Sequence, residues 1–218
     1  MKDLRSRLPF VLLALSLLAA AAGMAGLDQR IARILSPDAD PLSGLVTILD
    51  TVALKHVSSF LLGALIVLAG AALRLAKRRH AGTILLYVGT VQFLATTIAD
   101  LSKPLFGRLR PYEAAAQQVG DAWFAGANSF PSGHAAFYAG LVLPILMVAP
   151  RIGALLLPIP VLVAAQRVLS LDHYLSDVAV SLAMAAVITL ALRRVVPELR
   201  APGATPRLAD GAASARST

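Results

Sequence analysis

Three short stretches concentrate the residues able to do chemistry: "KPLFGRLRP" at 103–111, "PSGH" at 131–134 and "RVLSLDHYLSD" at 167–177. In the third, His173 and Asp177 are four apart, so a helix beginning near Asp172 puts both on one face. A carboxylate there holds one ring nitrogen and leaves the other as a lone pair, which makes a nucleophile or a general base. Asp172, beside His173, is expected to cap that helix. Arg167 ends an apolar run six residues before His173, where a cation is costly unless it is wet or paired with an anion. Lys103 and Arg110 repeat this placement at the end of another run. "PSGH" opens a further apolar run, where Ser132 can cap a helix and Gly133 permits close backbone approach. A capped helix N-terminus is also an anion site, here with His134 beside it. Three cations, such a terminus and two histidines describe a pocket for a phosphoryl group. In phosphoryl transfer, fixed positive charge around the equatorial oxygens carries most of the catalysis, and His134 is placed to protonate the departing oxygen. Taken singly, each feature has a plainer reading: a His and an Asp bonded on a helix surface, snorkelling cations, a serine that is only a cap.

The elements that must position these residues are membrane helices. The chain has 218 residues, 57% hydrophobic and only 15% charged. Its mean hydropathy of +0.73 is too high for a soluble domain of this length. Without cysteine it has neither disulfides nor thiolate metal sites. The net charge of +8 does not indicate nucleic acid, because aromatics, which binders of single strands interleave with basic residues, are only 6%. Crossing a hydrocarbon core of roughly 30 Å takes about 20 apolar residues. Six candidate spans fall near 8–27, 57–75, 81–101, 134–149, 152–171 and 174–192. Pro144, Pro158 and Pro160 are expected to kink the fourth and fifth spans without ending them. An all-α polytopic bundle of about six transmembrane helices follows, as a single domain over 1–196.

Basic residues orient the bundle. With the N-terminus inside, 13 of the 20 lie in cytoplasmic segments, while nine of the 12 acidic residues lie outside. Both termini are then cytoplasmic, and all three chemical stretches share the outer face. A cleaved secretory signal is a second reading of the first segment, given its basic start and small residues at 19–26, although its apolar run exceeds the usual length. Between the first two spans, Leu42, Leu45, Val46, Leu49 and Val52 fall at helical spacing, so this stretch is expected along the outer interface, bordering a path for substrate. "DAD" at 38–40 superficially resembles an aspartate-based phosphate-transfer motif, but Pro37 and Pro41 flank it and a surface turn is expected. The tail, 197–218, has the composition of a disordered segment.

The three stretches resemble the signature motifs of the type 2 phosphatidic acid phosphatase family, whose fold is shared with vanadium-dependent haloperoxidases. The correspondence is Lys, six residues, Arg-Pro; Pro-Ser-Gly-His; and Arg, five residues, His, three residues, Asp, over a region of 57–192. The resemblance implies that His173 attacks phosphorus and becomes phosphohistidine, Asp177 orients it, and His134 protonates the leaving group and then activates water. It assigns phosphate binding to Lys103, Arg110, Ser132, Gly133 and Arg167, and implies no metal and no other cofactor. Gln166 stands where the family often has Ser, and Arg108 is not a fixed position of the first motif. The implied activity is a phosphatase acting on a membrane-lipid phosphate (undecaprenyl diphosphate, phosphatidylglycerophosphate, phosphatidate or lipid A type), in the bacterial inner membrane with its site facing outward. The bilayer and the lipid are its expected partners. A phosphotransferase of the same family and, from another class, a transporter or assembly protein with a degenerate site are the competing readings.

Overall fold

The computed structural model describes residues 2–35, 40–55, 57–196 and 199. Among the described residues the regular structure is all helical. Helix α1 (Lys2–Ala22) passes through a π-helical segment, Gly23–Leu27, into α2 (Asp28–Ile34). Then come α3 (Ser43–Val52), α4 (Leu61–Leu75), α5 (Arg79–Phe106), α6 (Pro111–Ala116), α7 (Gly133–Val148), α8 (Pro150–Leu156), α9 (Pro158–Leu169) and α10 (Leu175–Val195).

Among the described residues, four stretches are long and apolar enough to cross a membrane: Leu8–Ile34, Arg79–Ala116, Pro150–Leu169 and Leu175–Val195. Helices occupy the other two expected places, but α4 has 15 residues and α7 has 16. At 1.5 Å per residue these reach about 23–24 Å, short of the roughly 30 Å of hydrocarbon. Their ends are set locally. Residues 57–60 turn before α4 can begin, and α7 is held between the Ser132 cap and the break at Ala149. Pro144 sits inside α7 without ending it, and α8 gives way to α9 at Pro158, across Leu157, whose backbone angles are helical.

Helix α7 is apolar on all sides and largely buried, which makes it the central element. It packs with α5 and α10 around Ala95, Ala139, Leu143, Leu146, Ala185 and Ala186, and Leu8, Leu12 and Leu13 of α1 cover this cluster. Small residues let these backbones approach closely, the packing mode available where lipid removes the hydrophobic drive between helices. The seam between α4 and α5 shows it most clearly. A Cβ on Gly70 would lie 2.7 Å from the Leu86 nitrogen, and one on Gly82 would lie 2.7 Å from the Gly70 carbonyl.

Helix α5 ends at Gly107, whose φ of 53 is left-handed and whose N–H donates to the Lys103 carbonyl at 2.8 Å. The chain then turns through Arg108–Arg110 into α6, and the following loop folds back so that Leu109 N donates to Ala122 O and Phe124 N to Phe106 O. Phe106, Trp123 and Phe130 form an aromatic cluster under this return. The three motifs thereby meet at one end of the bundle.

Candidate active site

His173 lies in the short turn between α9 and α10, only 4% exposed, with its backbone N–H on the Arg167 carbonyl at 3.0 Å. Its Nδ1 donates to the Ser129 carbonyl at 2.6 Å. A carbonyl can only accept, so the hydrogen is on Nδ1 and Nε2 keeps a lone pair. Burial pushes the imidazole pKa below its ordinary value, with Asp177 opposing, so the ring is neutral.

The expected direct bond from Asp177 gives way to an indirect arrangement. Asp177 Oδ2 is 3.6 Å from Nδ1, too far for a hydrogen bond. Asp177 instead accepts from Ser129 Oγ at 2.5 Å, from the Tyr174 N–H at 2.9 Å and from Arg108 Nη1 at 2.5 Å. It fixes Ser129, whose carbonyl in turn fixes His173. Ser129 stands two residues outside "PSGH"; its hydroxyl is held by Asp177 and its carbonyl holds His173, and a lone loop serine carried no signal of either.

Asp172 also differs from expectation. Helix α10 starts at Leu175 with Tyr174 as its cap, and Asp177 accepts the cap N–H as the third residue of the helix. Asp172 therefore precedes the helix, too early to cap it, and joins two guanidiniums: Arg167 Nη2 at 2.7 Å and Arg110 Nη1 at 3.2 Å. The Arg167 Nε is buried and has no hydrogen-bond partner among the described residues. Ser132 does cap α7, accepting from the Ala135 N–H at 3.4 Å. Lys103 pairs with Asp100 at 2.6 Å and lies against Gly133, where a Cβ would sit 3.1 Å from the ammonium. Gly133 is thus the backbone surface over which Lys103 reaches the helix N-terminus.

His134 Nε2 is 3.0 Å from Asp50 Oδ2, and the Tyr138 hydroxyl donates to Asp50 Oδ1 at 2.6 Å. Asp50 is 5% exposed and comes from α3, so the stretch expected to lie along the interface turns Val46 and Asp50 into the bundle. Leu45 is 40% exposed, while Leu49 packs against the cluster of Val46, Phe137, Tyr138 and Val163. Lys55 adds a fourth cation: burial pushes its ammonium pKa down, its neighbours include Asp50, Asp100, Lys103 and Arg167, and its Nζ lies 5.3 Å from the Phe137 ring centroid.

Arg108, assigned no role from sequence, is 0% exposed. It pairs with Asp28 at 2.8 Å, Asp121 at 2.6 Å and Asp177 at 2.5 Å, between the rings of Trp123 and Tyr174. Gln166 donates to Asp40 Oδ2 at 2.6 Å, so this part of "DAD" is a tether; Asp38 and Ala39 lie outside the described residues. So does the expected tail, apart from Leu199. Among the described residues no three His, Asp or Glu side chains are grouped as a metal site requires.

The family model described as PAP2 superfamily matches residues 81–201, more than half of the chain. The chain belongs to the PAP2 superfamily. No curated protein and no solved structure matches it. Members of the PAP2 superfamily are generally phosphatases, and membership points to phosphatase or phosphotransferase chemistry here. The matched residues contain all three motifs, whereas α3 and α4, and with them Asp50 and Lys55, lie outside.

Proposed function

We propose that the protein is a metal-independent phosphatase of membrane-lipid phosphates, a six-span protein of a bacterial inner membrane whose site opens on the outer face. The observation that carries this reading is the pairing of a neutral, buried His173 with the Arg110–Arg167 pair, whose Arg167 Nε–H is an unpartnered donor. Phosphate oxygens enter where Asp172 now bridges the guanidiniums, with Lys103 and the Ser132–Gly133 helix start as further donors. His173 Nε2 attacks phosphorus, the P–O bond to the lipid breaks, and His134 gives its proton to the departing oxygen. Water then attacks the phosphohistidine, His134 takes the water proton, and the P–N bond breaks to release inorganic phosphate. Asp177 works through Ser129 to keep the nucleophile aimed. The outward orientation is supported by the excess of basic residues in the other set of loops.

His173→Ala should reduce phosphate release from a panel of purified lipid phosphates to background while the protein still inserts and folds. Vanadate should inhibit the wild type, and a chelator should not. Near-normal turnover by the variant would refute the nucleophile. Free phosphate from a single purified lipid selects hydrolysis over transfer to a second lipid.

A further inference from the structure

Helix α3 lies outside the part of the chain that the PAP2 superfamily model matches, yet it sends a carboxylate to one of the two histidines. Val46 and Asp50 are one turn apart and both buried, so α3 is docked by its Val46–Asp50 face, on Phe137 and Tyr138 of α7 and Val163 of α9. A buried carboxylate is expensive without partners, and Asp50 has two: the Tyr138 hydroxyl on Oδ1 and His134 Nε2 on Oδ2. The tyrosine can only donate to a carboxylate, and the second oxygen requires the same of the imidazole, so Nε2 carries a hydrogen and Nδ1 is the nitrogen left to exchange protons. Lys55 and Arg167 act electrostatically on the same ring, and the Lys103–Asp100 pair lies beside Gly133, its neighbour in the chain. With two cations acting on it, an imidazolium at 134 is favoured by a nearby anion, and Asp50 supplies it.

We infer that Asp50 is a positioning residue for proton transfer: it holds His134 with Nδ1 toward the substrate and balances the imidazolium that donates to the leaving oxygen. The inference rests on the proposed acid role of His134. In the first half-reaction the proton leaves Nδ1 for the lipid oxygen as the P–O bond breaks; in the second, Nδ1 accepts the proton of the attacking water. Asp50 keeps its own charge throughout, and Tyr138 fixes the carboxylate.

The test is Asp50→Asn, which keeps the shape but removes the charge and one of the two acceptor oxygens, assayed on an alkyl phosphate and on a nitrophenyl phosphate. Turnover of the alkyl phosphate should fall about 10- to 100-fold with KM within about twofold, because its leaving group must be protonated. The single-turnover burst of nitrophenolate, which leaves without a proton, should change less than about threefold. In a His134→Ala background the same change should add less than about twofold, since neighbours acting as one unit are not additive. Tyr138→Phe should lower alkyl turnover in the same direction by about three- to fivefold, which keeps the test open if Asp50→Asn fails to fold. Equal losses on both substrates, or an undiminished loss in the His134→Ala background, would overturn the inference and leave Asp50 a packing residue. Loss in His134→Ala with normal activity in both Asp50→Asn and Tyr138→Phe would overturn it alone. Normal turnover in His134→Ala would overturn the acid role as well.

Discussion

Replacing Arg108 with Met removes the cation that three separate segments share while keeping much of its apolar stem. Arg108 is 0% exposed, and of its partners Asp177 is 0% and Asp28 2% exposed, so two carboxylates are left in the interior without a counter-charge. Each keeps neutral donors, Asp28 from Ser176 and Asp177 from Ser129 and Tyr174, which limits the loss. Breaking one buried pair costs about 3–5 kcal/mol, and because both carboxylates lean on one guanidinium the two losses overlap instead of adding. At roughly 2–4 °C per kcal/mol for a chain of this size, the melting temperature should fall by about 6–20 °C. Trp123 is the sole tryptophan and lies 4.5 Å from the guanidinium, so its fluorescence in detergent reports the transition directly. Arg108→Lys, which keeps the charge but not the fork that reaches Asp28, Asp121 and Asp177 together, should recover only part of the loss. A shift under about 2 °C for Arg108→Met, with activity retained, would refute the idea that this guanidinium ties the site together.

Three further outcomes follow from the geometry. Burial lowers the His173 pKa from the ordinary 6.5, so the nucleophile stays neutral as pH falls through that value; the acid limb of kcat/KM, corrected for substrate ionisation, should lie below 6.5, and a limb at or above it contradicts the buried, neutral ring. Because the unfolded imidazole takes up a proton near 6.5 and the buried one does not, the folded state should weaken as pH falls from about 6.5 toward that limb, with no further loss from this group below it. Asp172→Asn removes the anion that competes with phosphate for Arg110 and Arg167; a partly exposed pair is worth about 1 kcal/mol or less, so vanadate should bind up to about fivefold tighter at low salt, with the gain shrinking as salt rises. Weaker vanadate binding in this variant would show that Asp172 sets the guanidiniums in place instead of blocking them.

What could be read from the chain were features carried by residue type and local spacing. Helices stand at all six places marked by apolar runs, and the capping role of Ser132 and the tolerance of Pro144 follow from chemistry within one turn of each residue. Length was less legible for α4, which a turn at 57–60 that hydropathy does not register cuts short of the expected 57–75, whereas the expected 134–149 has the same 16 residues as α7. At the site, the spacing of His173 and Asp177 correctly put them near each other, but the bond that orients the ring comes from the Ser129 carbonyl, 44 positions away and indifferent to side-chain identity. Asp50 was hidden for a different reason. It is one acidic residue in an amphipathic stretch, and only docking of α3 against α7 distinguishes a carboxylate buried on His134 from one facing water. Arg108 looked like another interfacial cation until its three aspartates, drawn from positions 28, 121 and 177, met around it.

The knot at Arg108 bears on how the protein is made. Its anions emerge from the ribosome at positions 28, 121 and 177, and the cation at 108 arrives between the first two. Until α10 is delivered, Ser129 has no carboxylate to hold it, and the turn that carries His173 has no helix to close against. If His173 is the nucleophile, as proposed, its aim is therefore acquired only when α10 docks. On that proposal, a chain stalled after α9 would hold Lys103, Arg110 and Arg167 without a directed imidazole, and activity would report that α10 has docked.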